Sequence, residues 1–170
     1  PLVLLLNPDT RVVGDVLPRL VDYATDHPEV GIVGPRVLNG DGTLQASRFR
    51  FPSLLNQLLE AAYLPQLFPG SRIFDRERLG GSDANRPAPV EAVSGCCFLV
   101  RRSVLDEVGF LDEDFFMYAE ETDLCYRAWQ AGFEVHYAPV GEIVHLHGAS
   151  SRLASRRNFL EYRRSILRFF

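Results

Sequence analysis

The hydrophobic pattern changes period several times along the chain. Leu2 to Leu6 form an unbroken apolar run closed by Asn7-Pro8-Asp9, which predicts a strand buried on both faces, as in a parallel sheet. Such a strand needs neighbours on both sides. The chain opens inside this run and without methionine, so further strands are expected upstream of Pro1. Val16, Leu17, Leu20, Val21 and Ala24 then recur with helical spacing, predicting a helix over 16–26. Asp15 is its expected cap, Pro18 falls in its first turn and His27-Pro28 ends it. Val30 to Val37 reads as a strand. Asn39-Gly40-Asp41-Gly42 reads as a turn, with Thr43 to Ser47 returning as a second strand.

Past a helix expected near 53–63, Pro65, Pro69, Gly70, Gly80, Gly81, Pro87 and Pro89 break the pattern repeatedly. A long irregular stretch in a compact domain points to a functional loop or to disorder. Val90 to Val100 reads as a strand interrupted at Ser94-Gly95, and a short helix over Ser103 to Val108 ends at Gly109. The clearest helix covers 119–131. Leu124, Cys125 and Ala128 line one face, Asp123 and Arg127 sit one turn apart, and Gly132 stops it. Phe133 to Ala138 and Glu142 to Leu146 read as two strands. An arginine-rich helix occupies 155–170. Strands and helices in this order define an α/β domain, with no internal repeat.

Composition narrows the class. The 170 residues suffice for one domain with a core, and 46% apolar with 24% charged residues is ordinary globular composition. A net charge of −4 argues against bulk nucleic-acid binding. All 18 basic residues are arginines spread along the chain, which reflects genome composition. No run of about 18 apolar residues or signal peptide occurs. Cys96, Cys97 and Cys125 lack disulfide or zinc spacing, so small buried thiols in a reducing, cytoplasmic setting are expected.

Three places carry candidate chemistry. Asp9 follows the end of a buried strand, where ligands of open α/β sheets bind, and a hard cation takes carboxylate and phosphate oxygens. A local turn capped by Asp9 or Thr10 is the plainer reading. Glu120 and Glu121 open a helix with Asp112, Glu113, Asp114 and Asp123 nearby. The helix dipole alone favours acids there; crowding also raises carboxylate pKa values toward those of a useful general base. His145 and His147 share one face of an extended segment and suit either a metal or a packed, hydrogen-bonded role.

The order of these segments is more specific than any one of them. Asn7-Pro8-Asp9, then Val93-Ser94-Gly95-Cys96-Cys97-Phe98-Leu99-Val100, then the block from Gly109 through Glu120-Glu121 to Arg127, followed by Gly132, Tyr137, Pro139, His145 and Ser150, resembles the family-2 glycosyltransferases. The rhamnosyltransferase branch is the nearer, and the likeness spans nearly the whole chain except roughly 55–85. The resemblance implies a partial GT-A fold, Rossmann-like, with a mixed sheet flanked by helices and its N-terminal, nucleotide-binding strands missing. Residues 1–150 would be the acceptor and metal-site half and 151–170 a separate amphipathic helix.

The resemblance further implies Asp9 and His145 as ligands of Mg²⁺ or Mn²⁺, with Asn7 in place of the family's first aspartate. Glu121 would be the catalytic base where the family has aspartate, with Glu120 and Asp123 as alternates. Ser94 and Gly95 would shape the acceptor pocket, and His147 would either support the metal ligands from behind or be structural. The implied activity is inverting transfer of a sugar from dTDP-rhamnose or a UDP-sugar to a glycan or lipid-linked acceptor in bacterial cell-envelope polysaccharide synthesis. The isolated fragment is expected to be inactive. The terminal arginines suit a solvated face, a homodimer contact or the anionic inner face of the plasma membrane. Two other classes stay open: a non-catalytic glycan- or partner-binding module, and a metal hydrolase using Asp9, Glu121, His145 and His147.

Overall fold

The computed structural model describes residues 1–74, 77, 83–146 and 155–170, the side chains of 155–157 excepted. Its strands are β1 (Leu2–Leu6), β2 (Thr10–Val13), β3 (Val30–Leu38), β4 (Leu44–Gln45), β5 (Arg48–Phe49), β6 (Ala88–Pro89), β7 (Ala92–Val93), β8 (Cys97–Arg101) and β9 (Glu134–His145). Its helices are α1 (Val16–Asp26), α2 (Leu54–Ala61), α3 (Leu64–Leu67), α4 (Arg102–Val108), α5 (Glu120–Gln130) and α6 (Ser155–Phe169). The main sheet runs β1-β8-β3-β9-β2, with β4 added to β3 and β6 to β9; β5 and β7 form a separate ribbon.

The sheet is a mixed one between two helical layers. β3 lies at its centre, parallel to β9 and antiparallel to β8. Successive residues of a strand face opposite sides, so neighbours enter different cores. Ile32, Phe98 and Val100 pack with Leu124, Cys125 and Ala128 of α5, whereas Val33, Cys97 and Leu99 pack with Val16, Leu20 and Ala24 of α1. All three cysteines are free and buried, as expected from their spacing. Burial pushes the thiols of Cys97 and Cys125 up to about 12.

Several expectations needed correction. β1 is not a strand buried on both faces of a parallel sheet: it runs antiparallel to β8, and Leu2 to Leu5 are only half-buried. A short apolar run is equally at home in either kind of pairing. β2 was not expected; its four residues include Arg11 and pair with the end of β9. Asp15 stands at the N-cap of α1 but makes no capping bond with its side chain. The two strands expected over 133–146 form one, β9, which continues through Pro139 and Gly141 with a register shift against β3 between Gly34 and Arg36. Gly141 is required there, because a Cβ would stand 2.7 Å from Cβ of Val16 in α1.

The last helix is bound to the rest of the chain. Ile166 of α6 packs with Phe115 and Ala119. Ser165 donates to the Met117 carbonyl at 2.7 Å, and Arg168 pairs with Asp112 and Asp114. α6 therefore roofs the segment that leads into α5.

Candidate active site

Two junctions of the sheet and one helix start meet at one end of the molecule. The first junction is the turn between β1 and β2. The Asn7 amide continues the β1–β8 ladder by donating to the Cys96 carbonyl at 2.9 Å. The Asn7 carbonyl accepts from the Thr10 amide and from Thr10 Oγ1 at 2.6 Å, so the turn is closed by Thr10 rather than by Asp9. The Asp9 carboxylate is thereby left to face His145. Its Oδ1 lies 3.2 Å from His145 Nε2, while its carbonyl accepts from the Leu146 amide.

His145 is buried at the end of β9. Its Nδ1 lies 3.0 Å from Gln45 Oε1 in β4. Gln45 thus contacts the far nitrogen of the ring, and Nε2 is the atom presented to Asp9. A ring held on its far nitrogen while the near one meets a carboxylate is a ligand-like geometry. Asp9 Oδ1 and His145 Nε2 thus fit a divalent cation as a two-residue site. Among the described residues, no three His, Cys, Asp or Glu side chains are grouped to hold an ion by themselves. Asn7 is exposed beside them. His147 and Ser150 lie outside the described residues.

The second junction is Ser94-Gly95-Cys96, between β7 and β8. The Ser94 amide donates to the Ser47 carbonyl at 3.1 Å and Ser94 Oγ to Cys96 Sγ at 3.3 Å, which fixes the turn. The start of α5 packs on it. A Cβ at Gly95 would stand 3.2 Å from Cγ and Cδ of Glu121, so a glycine lets the carboxylate approach the backbone. The Gly95 amide hydrogen-bonds to that carboxylate. Tyr118 and Ala119, just before the helix, both have positive φ, 68° and 66°. Two successive left-handed non-glycine residues are strained and occur where a site over-determines them.

Glu121 is consequently unusual. Burial raises its pKa first, the neighbouring Glu120 charge second, and together they push it up to about 7. These effects outweigh the helix dipole and the amide bonds, which favour the ionised form. Its Oε2 is shielded from solvent and has no hydrogen-bond partner; the same holds for Glu120 Oε2. Burial also raises the pKa of Glu120. The charges of both Asp9 and Glu121 contribute to raising the Cys96 thiol, after burial itself, so one thiol senses both halves of the site.

Glu121 stands in the wall of a cavity of about 420 Å³. Phe49, Pro52, Phe74, Tyr118 and Phe159 give it apolar surface, and Arg50, Asn56, Glu60 and Glu77 give it polar groups. Tyr162 of α6 meets Tyr118 edge-on at 6.1 Å across it. Asp123 is engaged elsewhere. It holds Arg127 at 2.7 Å, as its spacing indicated, and Arg127 also reaches the carbonyls of Val108 and Phe110. Trp129 packs in the core and donates to the Val90 carbonyl. Gln45 and the polar cavity residues were not singled out from sequence. A signal existed for the latter, since Asn56 and Glu60 are one helical turn apart.

Paired carboxylates at a helix start, a cavity beside them and a carboxylate–histidine pair at the strand ends of a mixed α/β sheet make this end of the molecule the candidate active site. The comparisons place the chain in a family. Residues 1–163 match the family described as Glycosyltransferase like family 2, and the chain belongs to that family. An N-acetylglucosaminyl-diphospho-decaprenol L-rhamnosyltransferase of Mycobacterium tuberculosis is 36% identical over 151 residues, 88% of this chain and 48% of that protein. The low-salt glycan biosynthesis hexosyltransferase Agl10 of Haloferax volcanii is 28% identical over 152 residues, 84% of this chain and 41% of its own length. The chain therefore spans about half the length of the curated relatives it matches. A crystal structure of GalNAc-T7 with UDP, GalNAc and Mn2+ is similar in fold, with a TM-score of 0.57 at 14% identity over 88% of this chain and 28% of that one.

Proposed function

We propose that this domain carries the acceptor-activating half of an inverting glycosyltransferase, moving a hexose such as rhamnose from a nucleoside diphosphate sugar to a hydroxyl of a glycan or lipid-linked acceptor. The observation that carries the reading is Glu121: a carboxylate in a cavity wall, with a pKa pushed up to about 7 and one oxygen without a protein partner. A base matched to neutral pH accepts the proton of a bound hydroxyl as that oxygen attacks. Gly95 orients the carboxylate through its amide, and Glu120 raises its basicity by charge repulsion. The acceptor sits in the cavity, where Asn56, Glu60 and Arg50 offer hydrogen bonds to sugar hydroxyls and Tyr118 and Phe159 offer apolar faces. Attack from that side on the anomeric carbon inverts its configuration in one step, by the same stereochemical logic as water attack in inverting glycosidases.

Asp9 and His145 are the residues that would hold Mg²⁺ or Mn²⁺. A divalent cation held there would supply positive charge to neutralise a diphosphate leaving group. The relative from Mycobacterium tuberculosis is named as an N-acetylglucosaminyl-diphospho-decaprenol L-rhamnosyltransferase, and dTDP-rhamnose is the donor to test first.

In the full-length polypeptide, Glu121→Gln should lower transfer from dTDP-rhamnose by about 10²–10⁴-fold. Donor affinity measured calorimetrically with Mn²⁺ should be unchanged. Undiminished transfer by the variant removes Glu121 from the role of base. A wild type that binds donor but never transfers supports instead a glycan-binding module. Tight Zn²⁺ binding unaided by nucleotide favours a hydrolase.

A further inference from the structure

Residues 109–119, between α4 and α5, have no regular secondary structure, yet they set where α5 begins and so where Glu121 stands. The segment ends on the left-handed pair Tyr118 and Ala119. Two successive side-chain-bearing residues do not keep that conformation unaided, and relaxation of either would reorient the first turn of α5. The Ala119 carbonyl accepts the Asp123 amide at 2.8 Å, opening the hydrogen-bond ladder of α5. The strained pair is thus joined directly to the turn that carries Glu121.

α6 supplies the restraint. Ser165 is 6% exposed, and its hydroxyl donates at 2.7 Å to the carbonyl of Met117, the residue before the strained pair. A serine inside a helix commonly bonds back to a carbonyl of its own preceding turn; this one crosses to another segment. Tyr162 meets the Tyr118 ring edge-on, and Ile166 packs with Ala119 and Phe115. Tyr162, Ser165 and Ile166 share one helix face. Further along, Arg168 pairs with Asp112 and Asp114 and lies 5.5 Å over the Phe115 ring. Asp112 also closes its own turn by accepting the Asp114 amide at 2.9 Å.

These contacts divide by what else they touch. Tyr162 and Ile166 line the cavity, so they can meet an acceptor as well as the backbone. Ser165 and Arg168 do not line it. Any effect of theirs on transfer passes through the backbone they hold. The Gly95 amide fixes the Glu121 carboxylate, and α6 fixes the chain from which that carboxylate springs.

We propose that Ser165 is a positioning residue for transfer: through the Met117 carbonyl it keeps Tyr118 and Ala119 left-handed, and with Arg168 it holds the start of α5 where Glu121 enters the cavity wall. The proposal rests on the reading of Glu121 as the base.

The test is a double-mutant cycle in the full-length polypeptide, with dTDP-rhamnose as donor and a short-chain diphospholipid-linked N-acetylglucosamine as acceptor. Each variant is assayed well below its melting temperature. Ser165→Ala should lower kcat by about tenfold and leave the acceptor KM within about twofold. Arg168→Gln should cause a smaller loss in kcat that Arg168→Lys restores. In the Glu121→Gln background, Ser165→Ala should cost nothing further, because there is no base left to misplace. The limb of the pH profile should also move below 7 in Ser165→Ala, as the displaced carboxyl becomes better hydrated. A wild-type kcat for Ser165→Ala, a rise in KM alone, or an equal fold loss with and without Glu121 overturns the proposal. Wild-type transfer by Glu121→Gln alone is the separate result that removes the base itself, and the proposal with it.

Discussion

α1 and α2 are both short amphipathic helices, and they are turned in opposite directions. α1 buries Val16, Leu20 and Ala24 against the sheet. α2 buries Asn56 and aims Gln57 and Glu60 inward, leaving its leucines outside. The first helix is placed by the hydrophobic effect acting on the core. The second is placed by what the cavity needs, and its apolar side is left to something other than the core. Amphipathic spacing tells where a helix forms; which side faces in depends on what lies there.

The sharpest break of the comparison uses a charge on a third helix. Glu121 of α5 is half-buried where Leu20 is fully buried, and it ionises. Its pKa is raised from the ordinary 4.5 to about 7, so the stability it allows is complete at low pH and is lost as the pH rises through about 7. Glu121→Gln should therefore be more stable than the wild type at pH 8, by roughly 3 kcal/mol at most. The gain should vanish near pH 4, as urea titration at the two pH values will show. Next, Leu20→Ala in α1 should cost about 3 kcal/mol, since the side chain is fully buried. Gly95→Ala should lower kcat/KM by about a hundredfold by displacing the Glu121 carboxylate.

Smaller effects belong to α2. Asn56→Ala should raise the acceptor KM by about tenfold with little change in kcat, the loss of one hydrogen bond in the cavity. Leu58→Ala should change stability by less than about 0.5 kcal/mol in the same titration that registers Leu20→Ala. Equal costs for Leu20 and Leu58 would erase the contrast between the two helices.

The sequence made some of this legible and hid the rest for physical reasons. α1, α5 and α6 stand out because an apolar stripe recurs with helical period and proline or glycine closes the first two. β1 was misjudged because an apolar run is silent on the direction of its neighbour. β9 was split because Pro139 and Gly141 look like breakers, whereas Gly141 is there to admit α1. Asp9, Gly95, Glu121 and His145 were nominated by the family resemblance, and their neighbourhood depends on turns far apart in the chain. Gln45, which holds the far side of the His145 ring, is a single polar residue in a two-residue strand and carries no local signature.

The pH dependence of kcat/KM for the full-length protein bears most directly on Glu121 as the base. A base must be ionised to accept a proton, and this carboxyl is held at about 7. Activity should rise with pH along a limb centred near 7, and that limb should be absent from the residual activity of Glu121→Gln. A profile flat from about pH 5 to 8, or a limb near 7 that persists in the variant, would contradict the assignment.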